Sequence, residues 1–467
     1  MYPSLPALAK PVQKLAGYDS CMPSSSHSSS SGVPSAQVVS FEVARRLVER
    51  HAASVGPGEI ETVDLLAGLG RVLAEGILAD RDFPPFDRAT RDGYAVLAAD
   101  LAEVPARLEV VGEVKAGDWP EPGVCSVGRG QAVGIMTGAP LPAGADAVVM
   151  VEYTSLDPLA GKSVEVRRSV SRGENFVPRG AEARAEQLLL DRGRRLDHVG
   201  IAIAASVGKS RVQVFRKPRV AVLSTGDEVV EIDAAPGAAQ IRNSNSYSLA
   251  AQVQAAGGEA VRLAIAPDER GRLRALIEEG LGCDLLLLTG GVSMGKYDLV
   301  EQVLGELKAE FYFTGAEIQP GRPVVFGSCA AKTLVGFDGA SAACTRTGVS
   351  APHQRYFFGL PGNPVSTMVT FELFARPMIE ALAGMTPQPL VFLSARLKTE
   401  IRTKTGLKRF LPAVLSGEFE NAEVELVRWQ GSGDIATLVR ANCYVVIPPE
   451  RERIDAGEWV SLLMRAG

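Results

Sequence analysis

A chain of 467 residues is too long for one hydrophobic core, because single cores stop growing near roughly 250–300 residues, so several domains are expected. Its 46% hydrophobic and 22% charged residues are those of an ordinary globular protein, and no apolar run reaches the roughly 20 residues that span a bilayer. A net charge of −5 excludes a broad basic field for nucleic acid or anionic lipid, so any anionic ligand must be held by local devices.

Residues 1–36 are rich in Pro and Ser, with Ser24 to Ser31 broken only by His27, and read as a disordered leader. They lack the apolar stretch of a secretory signal. Order is expected from Ser40, an N-cap for a helix with Val43, Leu47 and Val48 on one face. Residues 60 to 217 read as short strands and Gly/Pro turns, among them Leu108–Val114, Ala147–Val151 and Val212–Phe215.

From Pro218 strands alternate with helices. Arg219-Val-Ala-Val-Leu-Ser is a strand, Asn243 to Gly257 a helix, Glu259 to Ile265 a strand and Glu269 to Glu279 a helix. Cys283 to Thr289 is a strand, Leu299 to Leu307 a helix, and Tyr356 to Leu360 runs into a helix from Ser366 to Leu382. That alternation predicts a doubly wound, mainly parallel α/β domain. Residues 328–355 read as a surface insertion within it, and from Leu390 strands return without helices as a small terminal β domain. The six cysteines (Cys21, Cys125, Cys283, Cys329, Cys344, Cys443) show no CxxC spacing, which argues against a disulfide framework or zinc site and fits a reducing cytoplasm.

In an open parallel sheet, ligands bind beyond the carboxyl ends of the strands. Three predicted strand ends carry Gly-bearing turns: Ser224-Thr-Gly-Asp-Glu, Thr289-Gly-Gly-Val-Ser-Met-Gly and Leu360-Pro-Gly-Asn-Pro-Val-Ser. Such turns offer backbone N–H groups and a positive helix end to a phosphate. Asp227, Glu228, Asp268 and Asp298 gather at the same predicted edge. Acids beside a phosphate imply an intervening cation, and Mg²⁺ binds through one or two carboxylates plus substrate phosphates. Arg322, in the locked turn Gln319-Pro-Gly-Arg-Pro, is a candidate oxyanion clamp. In the first half, Phe83-Pro-Pro-Phe-Asp-Arg-Ala-Thr-Arg-Asp-Gly-Tyr-Ala-Val holds Asp87 and Asp92 in a rigid loop, and Ile135-Met-Thr-Gly-Ala-Pro carries Thr137. The four histidines fall in no triad or metal spacing, and no GxGxxG follows a strand.

Together PPFDRATRDGYAV, MTGAPLPAGADAVV, STGDE, TGGVSMGKYD, IQPGRP and LPGNPVS resemble the molybdopterin molybdenumtransferases, the MoeA family with gephyrin E-domain relatives, from about residue 38 to 467. The resemblance implies an α/β domain of the molybdopterin-binding type, β-rich N-terminal lobes and a small C-terminal β-barrel-like domain. Its boundaries are a leader at 1–36, a linker or dimerisation domain at 37–106 and 183–217, an inserted lobe at 107–182, the α/β domain at 218–388 and the terminal domain at 389–467. It implies Mg²⁺-dependent transfer of molybdate to adenylylated molybdopterin, giving molybdenum cofactor and AMP.

The resemblance places the pterin phosphates and nucleotide on Thr225, Gly226, Gly290, Gly291 and Val292, and Pro361 and Gly362 are counted among the cofactor-binding residues. It places Mg²⁺ on Asp268 and Asp298 with Glu228 close by, and molybdate on Ser293, Arg322, Ser366, Arg409 and Thr437. Asp87, Thr137 and Glu182 match catalytic positions that face the partner subunit's site, implying a homodimer. Gln319 stands where relatives often carry Lys, removing one cation. The competing readings are a non-catalytic molybdopterin-binding scaffold and a tungstate-specific relative.

Overall fold

The computed structural model describes residues 37–119, 125–156, 162–291, 299–330, 354–386 and 388–465. Its central sheet has six strands in the order Glu259–Arg262, Arg219–Ser224, Leu285–Thr289, Gln354–Leu360, Val325–Ala330 and Glu310–Phe313. The first four are parallel, and the last two pair antiparallel at one edge.

Alternation along these strands sends successive side chains to opposite faces. Val220, Val222, Leu285, Leu287 and Phe358 pack on one side against Ser244–Ala255 and the helical run from Pro364 to Leu382. Ala221, Leu223, Leu286, Leu288 and Phe357 pack on the other against Arg270–Leu281 and Leu299–Glu306. Burial on both faces is why these strands read as unbroken apolar runs. The expected helix from Ser366 to Leu382 starts at Pro364 and contains a π-helical turn, Phe371–Ala375, between two α-helical pieces.

Helix Phe41–Ser54 begins as expected, with Ser40 Oγ accepting from Val43 N at 3.3 Å. Its buried stripe is Phe41, Ala44, Val48 and Ala52, and it belongs to the α/β core, against Phe374 and Phe410. Strand Val38–Val39 likewise pairs with Gly315–Ala316. Arg45, within that stripe, is buried because its Nη1 donates to Leu373 O at 2.6 Å and its Nε to Glu49.

Two separate stretches build the next lobe. Ile60–Asp64 pairs with Arg211–Phe215, and Ile77–Leu78 with Leu188–Leu190, around Leu73, Ile77, Leu196 and Val214. Between them lies a six-stranded sheet in the order Ala147–Met150, Gly93–Val96, Gln131–Ile135, Ala106–Val114, Ser163–Val166 and Thr154–Leu156. Gly93–Val96 is an interior strand here, though it precedes residue 107; a Cβ on Gly93 would collide with the Val149 carbonyl.

At the C-terminus Lys408–Ser416, Glu423–Leu426, Phe392–Leu397, Trp459–Met464 and Cys443–Ile447 close into a five-stranded barrel around Ala395, Val424, Val445 and Leu462. Ile318–Gln319 of the α/β domain pairs with Lys408–Arg409, fixing the barrel to that domain. Cys125, Cys329 and Cys443 are free thiols, whereas Cys283 is disulfide-bonded; pairing depends on proximity in space, which scattered spacing does not reveal. No described helix is long and apolar enough to cross a membrane.

Candidate functional site

Parallel register brings the three glycine turns together. Ser224, Thr289 and Leu360 lie side by side at the carboxyl ends of their strands, so Thr225-Gly226, Gly290-Gly291 and Pro361-Gly362 leave the sheet at one edge. Thr225 N donates to Thr289 O at 3.0 Å, and Gly226 N to Ala266 O at 3.1 Å. Gly290 and Gly291 have φ of 90° and 60°. A Cβ on Gly290 would lie 2.6 Å from Thr225 O, and one on Gly291 2.7 Å from Thr225 Oγ1. These two positions admit only glycine without rearrangement.

The turns border a cleft of about 650 Å³, within the range of small-ligand sites. Thr225, Glu228, Gly290, Gly291, Pro361 and Gly362 line it, as do Asn245, Arg242 and Pro323. Asn245 Nδ2 donates to Thr289 Oγ1 at 3.0 Å and to Gly362 O at 2.7 Å, tying two turns together. Because the Gly362 carbonyl can only accept, this also fixes which way the amide points. Thr225 Oγ1 and Asn245 Oδ1 are buried without a hydrogen-bond partner among the described residues. Such an orphan costs about 1–3 kcal/mol, a cost that a bound ligand can remove.

Acids meet beside the first turn. Asp268 N donates to Asp227 Oδ1 at 3.1 Å. Burial, and then the neighbouring charges of Asp227 and Glu228, push the Asp268 carboxyl above the ordinary carboxylate range. A cation would relieve that repulsion. Among the described residues no group of three or more His, Cys, Asp or Glu is arranged to hold a metal, but Mg²⁺ needs only one or two carboxylates when phosphate oxygens complete its shell. Of these three acids Glu228 lines the cleft and Asp227 and Asp268 do not, so a Mg²⁺ here would need ligand oxygens to complete its shell. Asp298, Val292 and Ser293 lie outside the described residues.

Of the expected oxyanion residues, Arg322, Ser366, Arg409 and Thr437 sit at the seam between the α/β domain and the barrel and do not line the cleft. Arg322 is exposed in the turn just before Pro323, its carbonyl accepting from Ala316 N and Val324 N at 3.0 Å each. A Cβ on Gly321 would collide with Thr370 Cγ2; Ser366 is buried. Arg409, 6% exposed, donates from Nε to Gln319 Oε1 at 2.8 Å and from Nη1 to Leu407 O at 3.1 Å. Burial lowers its pKa, because desolvation disfavours the charged form. Thr437 lies on the short helix Ile435–Leu438, its N–H capped by Asp434 Oδ1 at 3.0 Å. The preceding loop docks on the third turn: Val365 N donates to Ser432 O at 3.0 Å and Asn363 Nδ2 to Ser432 Oγ at 2.9 Å.

In the β-rich half Asp87, Thr137 and Glu182 are each exposed, and none lines the cleft. Asp87 Oδ1 accepts from Arg179 N at 2.8 Å, and Asp87 O from Leu141 N at 2.8 Å. Asp92 Oδ1 accepts from Thr137 N at 2.6 Å, and the Thr137 amide and hydroxyl hold this carboxyl below its usual range. Arg88 Nη2 bonds Glu182 Oε1 at 2.8 Å. Phe86 braces the loop edge-on against Trp119, ring centroids 5.9 Å apart.

Sequence reasoning missed Asn245 and Arg242. Both lie in Arg242-Asn-Ser-Asn, which reads as a helix cap, and Asn243 does cap the helix, accepting from Ser246 N at 3.2 Å. The signal was a polar run longer than a cap requires.

Residues 39–208 match the family described as MoeA N-terminal region (domain I and II), 221–381 a probable molybdopterin binding domain, and 394–464 the MoeA C-terminal region (domain IV). The chain is 33% identical over 417 residues to the molybdopterin molybdenumtransferase of a Nostoc species, covering 87% of this chain and 88% of that one. To the enzyme of the same name from Bacillus subtilis it is 33% identical over 414 residues, covering 87% and 90%. A crystal structure of the molybdopterin biosynthesis moeA protein from Pyrococcus horikoshii superposes with a TM-score of 0.69 at 27% identity, covering 92% of this chain and 100% of that chain.

Proposed function

The chain belongs to the MoeA family of molybdopterin molybdenumtransferases, and we propose that its α/β cleft transfers molybdate to adenylylated molybdopterin, giving molybdenum cofactor and AMP. The observation that carries this reading is the meeting of three glycine turns, an orphaned buried hydroxyl on Thr225 and the Asp227, Glu228 and Asp268 carboxylates at one sheet edge. Turns and acids so placed suit a phosphoanhydride held together with a cation.

Thr225, Gly226, Gly290, Gly291, Pro361 and Gly362 hold the phosphates and nucleotide through close backbone approach. Asp268, with Asp298 and Glu228, would hold Mg²⁺, which when bound would screen the repulsion between two anionic reactants and polarise the phosphoanhydride. Arg322, Ser366, Arg409 and Thr437 receive molybdate at the seam beside the cleft, and Ser293 is assigned to the same anion. With both anions positioned by fixed donors, the reaction needs no protein nucleophile; positioning and electrostatics supply the rate. Val292 is assigned to the same nucleotide contact.

Asp87, Thr137 and Glu182 reach the cleft of a partner subunit, so the working unit is a homodimer, acting in the cytoplasm. Held by loops and far from their own cleft in sequence, they complete the site across the dimer. The test is AMP release by the purified chain given adenylylated molybdopterin, molybdate and Mg²⁺. Release that vanishes in Asp268→Ala is expected. Tight pterin binding without AMP above that variant's level would instead mark a scaffold, and a rate sustained only by tungstate would mark a tungstate-specific relative.

A further inference from the structure

We propose that Arg242 grips a phosphate of the substrate at the cleft mouth, and that this phosphate carries a planar ring lying against Ile241 and Val229. The proposal rests on the reading that the cleft holds a nucleotide-activated substrate. Among the described residues lining the cleft, the charged side chains are Glu228 and Arg242. Arg322 and Arg409, the cations singled out by motif, lie outside its wall. An anionic ligand in this cleft therefore meets its guanidinium from Arg242.

The backbone under Arg242 is firmly placed. Strand Ile241–Arg242 pairs with Val229–Val230, Ile241 N donating to Glu228 O and Asn243 N to Val230 O, both at 2.8 Å. The next residue, Asn243, caps helix Ser244–Ala255 and accepts from Ser224 Oγ at 2.9 Å, anchoring the segment to the strand end that starts the first turn. The side chain itself is tethered at one point, Nε donating to Ala234 O at 3.3 Å. Its two terminal nitrogens have no carboxylate or carbonyl partner among the described residues. A guanidinium held by Nε, with both terminal nitrogens open, presents the planar fork that matches a phosphate bidentately.

The ring follows from what stands beside it. Ile241 is 60% exposed on the cleft wall, and Val229 lines the same wall. Exposed aliphatic surface next to an unpaired cation suits a phosphate ester of a flat heterocycle better than a bare phosphate, which would leave that surface in water.

The experiment is calorimetric titration of the full chain with AMP and, separately, with inorganic pyrophosphate, for the wild type, Arg242→Ala and Arg242→Lys, at low and high salt. Circular dichroism checks that the variants are folded. Loss of a charge-assisted bidentate contact is expected to raise the AMP Kd by about tenfold or more in Arg242→Ala, with Arg242→Lys between, and to flatten the salt dependence. AMP should bind tighter than pyrophosphate. Equal AMP affinity in wild type and Arg242→Ala overturns the proposal, as does a wild type that binds neither probe; pyrophosphate binding as tightly as AMP overturns the ring. Arg242-dependent AMP binding without AMP release from the full substrate would leave this inference standing while the transferase reading fell. Normal turnover with an unchanged substrate KM in Arg242→Ala would do the reverse.

Discussion

The rim of the cleft and the acidic loops of the β-rich half are both made of turns, yet they are held in place by different means. At the rim, register does the placing: Ser224, Thr289 and Leu360 align in the sheet, and the first two turns are tied backbone to backbone, Thr225 N donating to Thr289 O. In the β-rich half, backbone pairs such as Leu141 N to Asp87 O and Glu182 N to Phe83 O are joined by side-chain tethers: Asp87 holds Arg179 N, Asp92 holds Thr137 N, and Arg88 holds Glu182. Backbone-built geometry tolerates almost no added atom, whereas side-chain-tethered loops tolerate change in fold and lose only aim. The first suits a ligand cradle; the second suits groups that must meet a site on another subunit.

The largest effect expected from breaking this contrast is at Gly290. A side chain there meets Thr225 O within 2.6 Å at a φ of 90°, so Gly290→Val should lower AMP release by more than about 100-fold and stability in urea by about 1–3 kcal/mol. Asp87→Ala should also cut AMP release but leave the urea midpoint in place, since Asp87 is exposed. Mixed and reassociated, the two inactive variants should recover about a quarter of wild-type activity, because half the dimers are then mixed and each holds one intact composite site. No recovery after verified exchange would place both groups in one subunit's site.

A smaller effect is expected at the seam. Gln319 Oε1 accepts from the buried Arg409 guanidinium. Gln319→Lys removes that acceptor and sets two cations in register, so stability should fall by about 1–2 kcal/mol in chemical denaturation, and the molybdate KM should not fall. A tighter KM with unchanged stability would show that Gln319 merely lacks a charge.

The smallest concerns Asp268. Its raised pKa means that the folded chain resists its ionisation, so its contribution to stability is complete below the ordinary carboxylate value and is lost as pH rises through the raised one. Asp227→Asn keeps an oxygen for Asp268 N and removes one repelling charge. The melting temperature should therefore rise by about 1 °C at neutral pH, allowing for solvent screening, and stay unchanged in acid. The acid limb of AMP release should move to lower pH. A limb that stays put would separate Asp268 ionisation from turnover.

The sequence by itself determined the α/β domain and the membership of its glycine rim. Each strand, turn and helix there is a local unit with its own period and cap, and parallel packing of such units leaves their turns at one edge. The cluster of Asp227, Glu228 and Asp268 was legible for the same reason, as residues just past strand ends. Only the tertiary structure decided what depends on distant neighbours: helix Phe41–Ser54 in the α/β core, Gly93–Val96 inside the inserted sheet, closure of the barrel, Asn245 linking two turns, Arg242 on the cleft wall and Gln319 paired with Arg409. A period of two tells which way a side chain points from its strand; it carries no information about which strand, tens or hundreds of residues away, will lie alongside.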